Sequence, residues 1–301
     1  MNAVVEPSTI KDRNGFLGGT DASVIAGCHP YKTARELYHE KRGEIIQPDI
    51  SDKEVIIWGN VLEDVLATEY SRRTGNKVRK VNRQLLHSEH EFIGGHIDRD
   101  VVGLPRALEC KTANQYLSGK WGESGSDMVP EHYLLQCQHY MALLPKVEVF
   151  DLAVLIGGQD FRVYHIPRDE GLIDSLITLE TRFWSDIKEG KEPEFDCDHE
   201  STADLMARLY PGTNGGVVDL PDESLHWHEV MESAKAKAKE YNSVVSAAKT
   251  HIQTMIGDAA VGKVPGLDGA GYSRKIVTRK GYEVNESQYI DMRFTKKPKG
   301  V

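Results

Sequence analysis

Residues 94–113, GGHIDRDVVGLPRALECKTA, place Asp98 a short way before the triplet Glu109-Cys110-Lys111, and both groups fall in stretches that read as β-strand. Side chains alternate across a strand, so Glu109 and Lys111 share one face. Charges on otherwise apolar strands need a partner or a bound ion, because burying an unpaired charge is costly.

The surrounding pattern sets the fold class. FLGGTDASVIAGC offers Thr20 or Asp21 as a helix N-cap, KTARELYHEKRGE reads as a second helix, and SDKEVIIWGNVLEDVLATEYSRRTGN as a long amphipathic one stopped at Gly75-Asn76. Short strands are expected around residues 77–81, 84–87, 92–97 and 107–111. Pro130 suits the first turn of a helix reaching about Leu144, and Pro145 ends it. VFDLAVLIGG and DFRVYHI read as two further strands before a helix from about Asp169 to Gly190. This order predicts an α/β domain over residues 1–200, with a mixed central sheet flanked by helices. Residues 201–301 read as a C-terminal extension: the linker TNGGVVDLPDES, a long polar-faced helix (HEVMESAKAKAKEYNSVVSAAKTHIQTMIGDA), short strand-like pieces and the basic end RFTKKPKG. Its role is left open between DNA, subunit and partner contacts.

Charge does not exclude a nucleic-acid partner. The net charge is −9, but residues 231–301 carry 13 Lys and Arg against 7 Asp and Glu, whereas the first 230 carry 24 against 39. An acidic body can bind DNA where basic residues line a channel and metal neutralises some acids. Cys28, Cys110, Cys137 and Cys197 are dispersed, which points to reduced thiols and away from a zinc site, a disulfide framework or an iron–sulfur cluster. The start MNAVVEPSTIKDRNG lacks a signal-peptide pattern, and no apolar run reaches the roughly 20 residues of a membrane helix, so a cytoplasmic protein without a membrane partner is expected.

Asp98 and Glu109, with a backbone carbonyl as third ligand, would make a hard oxygen site suited to Mg²⁺ or Mn²⁺. Lys111 could orient an attacking water or offset phosphate charge. The plain alternative is a surface Asp beside a Glu–Lys ion pair, and Asp100 is a competing acid on the same face as Asp98. Glu63 shares its helix stripe with Gly59, Leu66, Ala67 and Tyr70, while Asn60, Asp64 and Ser71 face elsewhere, so it needs a buried base or the same metal as partner. Gln136 and Tyr140 lie four apart on one helical face. Arg72, Arg73, Lys77, Arg79, Lys80 and Arg83 form either a phosphate-contacting patch or a solvated basic face. Trp58 is expected in the core, with an apolar wedge between DNA strands as the alternative.

GGTDASVIAGCHPYKT, WGNVLEDVLATEY, GGHIDRD, LECKT and VPEHYLLQCQHYMAL occur in an order that resembles the PD-(D/E)XK nuclease superfamily, specifically the YqaJ-type viral recombinase and phage lambda exonuclease family. The resemblance covers residues 13–190 and implies a restriction-endonuclease-like core. It implies that Asp98, Glu109, the Cys110 carbonyl and Glu63 hold Mg²⁺ (Mn²⁺ being possible), that Lys111 is the catalytic lysine, and that Gln136 and Tyr140 form the family's Gln-x-x-x-Tyr motif. Arg13, Thr20, His96 and Gln136 match a pocket for the 5′-phosphate. Thr20 and His96 stand where serines are usual, and only Thr20 keeps the hydroxyl. The implied activity is 5′-to-3′ degradation of one strand of linear duplex DNA, leaving 3′ single-stranded tails for an annealing protein, by a trimeric ring. Alternatives are a nuclease of the same superfamily with single-strand substrate or other polarity, and an idle DNA-binding scaffold.

Overall fold

The computed structural model describes residues 13–46 and 49–278; RFTKKPKG lies outside these. The chain begins with α1 (Gly19–Ile25), α2 (Ala34–Lys41) and α3 (Glu54–Thr74). Strands β1 (Val78–Lys80), β2 (Leu85–Leu86), β3 (Gly94–Gly95), β4 (Arg99–Val101) and β5 (Arg106–Ala113) follow. Then come α4 (Glu131–Leu143), β6 (Val149–Ile156), β7 (Asp160–Pro167), α5 (Glu170–Glu189) and α6 (Thr202–Leu209).

Five strands form one mixed sheet in the order β1-β4-β5-β6-β7. Only the β5–β6 pair is parallel, which demands a crossover, and α4 supplies it. Alternation along β5 and β6 then divides the core. Ala107, Leu152, Val154 and Ile156 pack with Cys137, Tyr140 and Met141 of α4. Leu108 and Ala153 pack on the opposite face with Leu66, Ala67 and Tyr70 of α3. The fold is therefore mixed α/β, a central sheet with helices on both faces.

Polar ties fix the layers. On the α3 side the fully buried Asp151 accepts hydrogen bonds from Tyr70 Oη at 2.5 Å and Arg106 Nη1 at 3.0 Å. On the α4 side His139 meets Glu180 of α5 at 2.7 Å through Nδ1 and the Gly94 carbonyl at 2.9 Å through Nε2. Both ring nitrogens face acceptors, which calls for the doubly protonated ring. Burial opposes that charge, but attraction to Glu180 outweighs it and raises the His139 pKa. The middle of the outer edge of β7 is covered by the loop before α4: Gly125 N–H donates to the Val163 carbonyl at 2.7 Å, and His165 N–H to that of Ser126 at 2.9 Å.

Local chemistry differs from expectation in several places. Neither Thr20 nor Asp21 caps α1; Gly18 does, and the Asp21 carboxylate reaches back to accept the Gly18 N–H at 2.9 Å. Pro130 occupies the N-cap of α4 rather than its first turn. Trp58 is 55% exposed and donates to Glu54 on its own helix, so it is not a core residue. The first compact unit runs to Pro211, past the boundary expected near residue 200, because α6 buries Leu205 and pairs Arg208 with Glu36 of α2. From Gly212 onward a second unit holds α7 (Glu223–Ile256), which buries none of its residues, and a hairpin of β8 (Val261–Lys263) and β9 (Gly271–Ser273).

Candidate active site

The antiparallel register of β4 on β5 pairs Arg99 with Leu108, so the bend just before β4 brings Asp98 alongside the Glu109–Cys110 step. Asp98 is thus at a strand end rather than within a strand, and its Oδ2 accepts the Cys110 N–H at 2.8 Å. Glu109 is buried on the α4 face of β5. Its Oε1 meets Lys111 Nζ at 2.6 Å and accepts from Gln136 Nε2 at 2.9 Å. The same amide nitrogen lies 3.1 Å from Tyr140 Oη, and Glu109 Oε2 is buried without a hydrogen-bond partner. Five of the expected residues, Asp98, Glu109, Lys111, Gln136 and Tyr140, therefore form one cluster.

Its electrostatics follow from crowding acids in a dry place. Burial, then the nearby Glu109 charge, pushes the Asp98 carboxyl up to about 7. Burial works against the Lys111 ammonium, yet Glu109 holds its pKa above the usual lysine value. Burial raises the Tyr140 phenol as well, keeping it neutral.

Glu63 lies close enough for its charge to act on Asp98, but its carboxylate is held by bases. Its Oε1 is held by Arg99 Nη1 at 2.6 Å, with Lys80 Nζ 3.7 Å away, and Asp64, expected to face elsewhere, pairs with the other arm of Arg99. Among the described residues no group of three or more His, Cys, Asp or Glu side chains is placed to hold a metal ion. Two carboxylates and backbone oxygens remain as donors. The unpartnered Oε2 of Glu109 and the raised pKa of Asp98 are what a pair of acids gathered for a cation would show, so the residues fit a hard divalent ion. Asp100, the competing acid, turns to Arg79 at 2.9 Å.

Arg13, Thr20 and His96 border one cavity of about 320 Å³ whose wall includes Gly19 and Tyr140. Gln136 lies behind this wall, against Gly19 and Tyr140. Beneath it the buried Lys41 ammonium is held by Asp21 at 2.8 Å and by the Phe16 carbonyl at 2.6 Å. Four of the six residues of the basic cluster have acidic partners nearby. Arg72 and Arg73 both pair with Glu69 at 2.7 Å, Arg79 with Asp100, and Lys80 approaches Glu63.

Sequence reasoning missed three features. Arg99, buried between α3 and β4, is the base that Glu63 required; it follows Asp98 directly, so alternation sends it to the opposite face. Lys41 sits under the cavity, with no local signal to mark it. Gly19 and Gly95 flank the Tyr140 ring, where an added Cβ would lie 2.7 and 2.8 Å from ring carbons.

The fold and this cluster define a mixed α/β protein whose central strand carries an acid–lysine centre. The model of the YqaJ-like viral recombinase domain matches residues 10–144. The uncharacterized protein YqaJ of Bacillus subtilis (strain 168) is 34% identical over 253 residues, 83% of this chain and 78% of the relative. The chain belongs to the YqaJ-like viral recombinase family. Similar solved structures include an alkaline exonuclease (LHK-Exo) from Laribacter hongkongensis, with TM-score 0.46 and 17% identity over 66% of this chain and 96% of that one. A phage related exonuclease from Haemophilus somnus 129PT gives TM-score 0.41 and 14% identity over 58% of this chain and 96% of that one. No helix among the described residues is long and apolar enough to cross a membrane.

Proposed function

We propose that the protein is a Mg²⁺-dependent deoxyribonuclease that digests linear double-stranded DNA 5′ to 3′ and leaves 3′ single-stranded tails for recombination. The observation that carries this reading is Glu109, whose Oε1 is fixed by Lys111 and Gln136 while Oε2 stays unpartnered and its charge raises the Asp98 carboxyl. The family's description as a viral recombinase agrees with it.

In this reading Asp98, Glu109 and the Cys110 carbonyl hold the cation, with Mn²⁺ as a substitute. A bound divalent ion supplies a water acidified toward neutral pH and charge neutralisation at the leaving oxygen. Lys111 orients that water for in-line attack and offsets phosphate charge. Gln136 and Tyr140 fix the rotamer of Glu109. Glu63 serves through Arg99, which bonds the Asp98 carbonyl at 2.7 Å, so it positions Asp98. Arg13, Thr20 and His96 offer the 5′-phosphate a charge, a hydroxyl and an imidazole. Arg72, Arg73, Arg79 and Lys80 lie on the path of the duplex backbone. A trimeric ring and an annealing-protein partner complete the proposal.

The test compares 5′-phosphorylated and 5′-hydroxyl linear duplex, with Mg²⁺ or chelator, for the parent and Glu109→Ala. Expected is Mg²⁺-dependent loss of one strand, faster from the phosphorylated end, and a fall of at least ~10²-fold in the variant. Equal digestion by the variant, or none by the parent, overturns the reading. Light scattering reports the trimer.

A further inference from the structure

A groove of about 670 Å³ opens beside the centre, where β5 continues from Lys111 into Thr112 and Ala113. Aromatic rings line a route from solvent to the Lys111 amine. Tyr31, His29, His132 and Tyr133 follow one another with centroids 6.0, 6.1 and 4.0 Å apart. The Lys111 ammonium then sits 5.3 Å from the Tyr133 ring centre. Tyr116, on the short turn after β5, also lines the groove and is 93% exposed, while Tyr31 is 71% exposed. Burial pushes both His29 and His132 down to about 4, with His132 and Lys32 acting further on the first and Lys111 and Lys120 on the second. At neutral pH these rings are uncharged.

Exposed rings with cations at their edges are what unpaired nucleotides require, since every base has a face to stack and every linkage a charge to meet. Lys120 supplies a cation on the wall, Glu131 is an acid on the same wall, and Lys111, paired with Glu109, lies at the inner end behind the Tyr133 ring. Val55 adds an exposed apolar side chain to the wall, but the two most exposed groups are the phenols of Tyr31 and Tyr116, which offer flat faces for stacking.

We infer that this groove is a track for single-stranded DNA, whose bases stack on Tyr31 and Tyr116 while its backbone passes Lys120 on the way to the centre. It would hold the unpaired segment that a DNA end feeds to the centre. That assignment of strand rests on the nuclease reading; the binding itself does not.

The test is fluorescence anisotropy of a labelled thymidine oligonucleotide of about 12 nucleotides in chelator, with a blunt duplex for comparison. Full-length parent, Tyr31→Ala, Tyr116→Ala, the double alanine variant and the matching phenylalanine variants are compared. Each lost stack weakens single-strand binding about 5- to 100-fold, and phenylalanine retains the affinity. No measurable affinity in the parent, an unchanged Kd in the double alanine variant, or a loss as large with phenylalanine overturns the track. An equal loss on blunt duplex overturns its preference for single strands. Mg²⁺-dependent digestion by the parent is scored separately, so absent cleavage with intact ring-dependent binding sinks the nuclease reading alone.

Discussion

Asp98 carries a measurable burden in the cation-free protein. Its carboxyl is raised from 3.8 to about 7, so its neutral form adds stability below the ordinary value, and that gain is lost as pH rises through about 7. Asp98→Asn should therefore melt above the parent at about pH 8 in chelator, with the gap closing toward about pH 4. Mg²⁺ should raise the melting temperature of the parent at the higher pH and leave the variant unmoved. Melting curves that coincide across the range would remove the buried acid pair. A different constraint sits at Gly19, where a methyl group would strike the Tyr140 ring at 2.7 Å and Gln136 Cγ at 3.0 Å. Gly19→Ala should displace the pair that holds Glu109 and lower kcat by about tenfold or more, with KM for DNA nearly unchanged. Charges on apolar strands draw the eye to Asp98, Glu109 and Lys111, yet a surface Asp beside a Glu–Lys pair fits them equally, and only the order of the motifs along the chain groups them. Gly19 could not be read from the chain, since its meaning lies in a ring more than a hundred positions away.

Among elements, α3 meets strand β4 through Arg99, a buried guanidinium shared by Glu63, Asp64 and the Asp98 carbonyl. Arg99→Met should cost about 2 kcal/mol, near the low end for broken buried pairs because both acids reach solvent. In thermal denaturation this is a drop of about 4–8 °C, and a change under about 1 °C would show the contact to be idle. The variant should also lose cation affinity, since Asp98 is held from behind. Helices α3, α4 and α5 and strands β6 and β7 were legible because their apolar periods run long and end in Gly or Pro. Strands β2 and β3 shrink to two residues each, and α6 escaped notice, because pieces so short are decided by tertiary neighbours. Trp58 was assigned to the core on residue type alone, and its place on the outer stripe of α3 overrode that.

For the whole molecule, the division after Pro211 gives a direct expectation. A chain ending at Pro211 should unfold cooperatively within about 2 °C of the full-length protein and keep its hydrolysis of linear duplex; loss of the cooperative transition would tie the second unit to the stability of the first. The loop laid along β7 reaches beyond its own neighbourhood. Because residues 124–126 already take up the amide and carbonyl of Val163 and the amide of His165, a strand from another copy would meet occupied groups in the middle of that margin, while the opposite margin, β1, is brief and bears Arg79 and Lys80. Strand pairing between copies is thus disfavoured at both margins of this sheet, by occupied backbone groups on one side and by brevity and charge on the other.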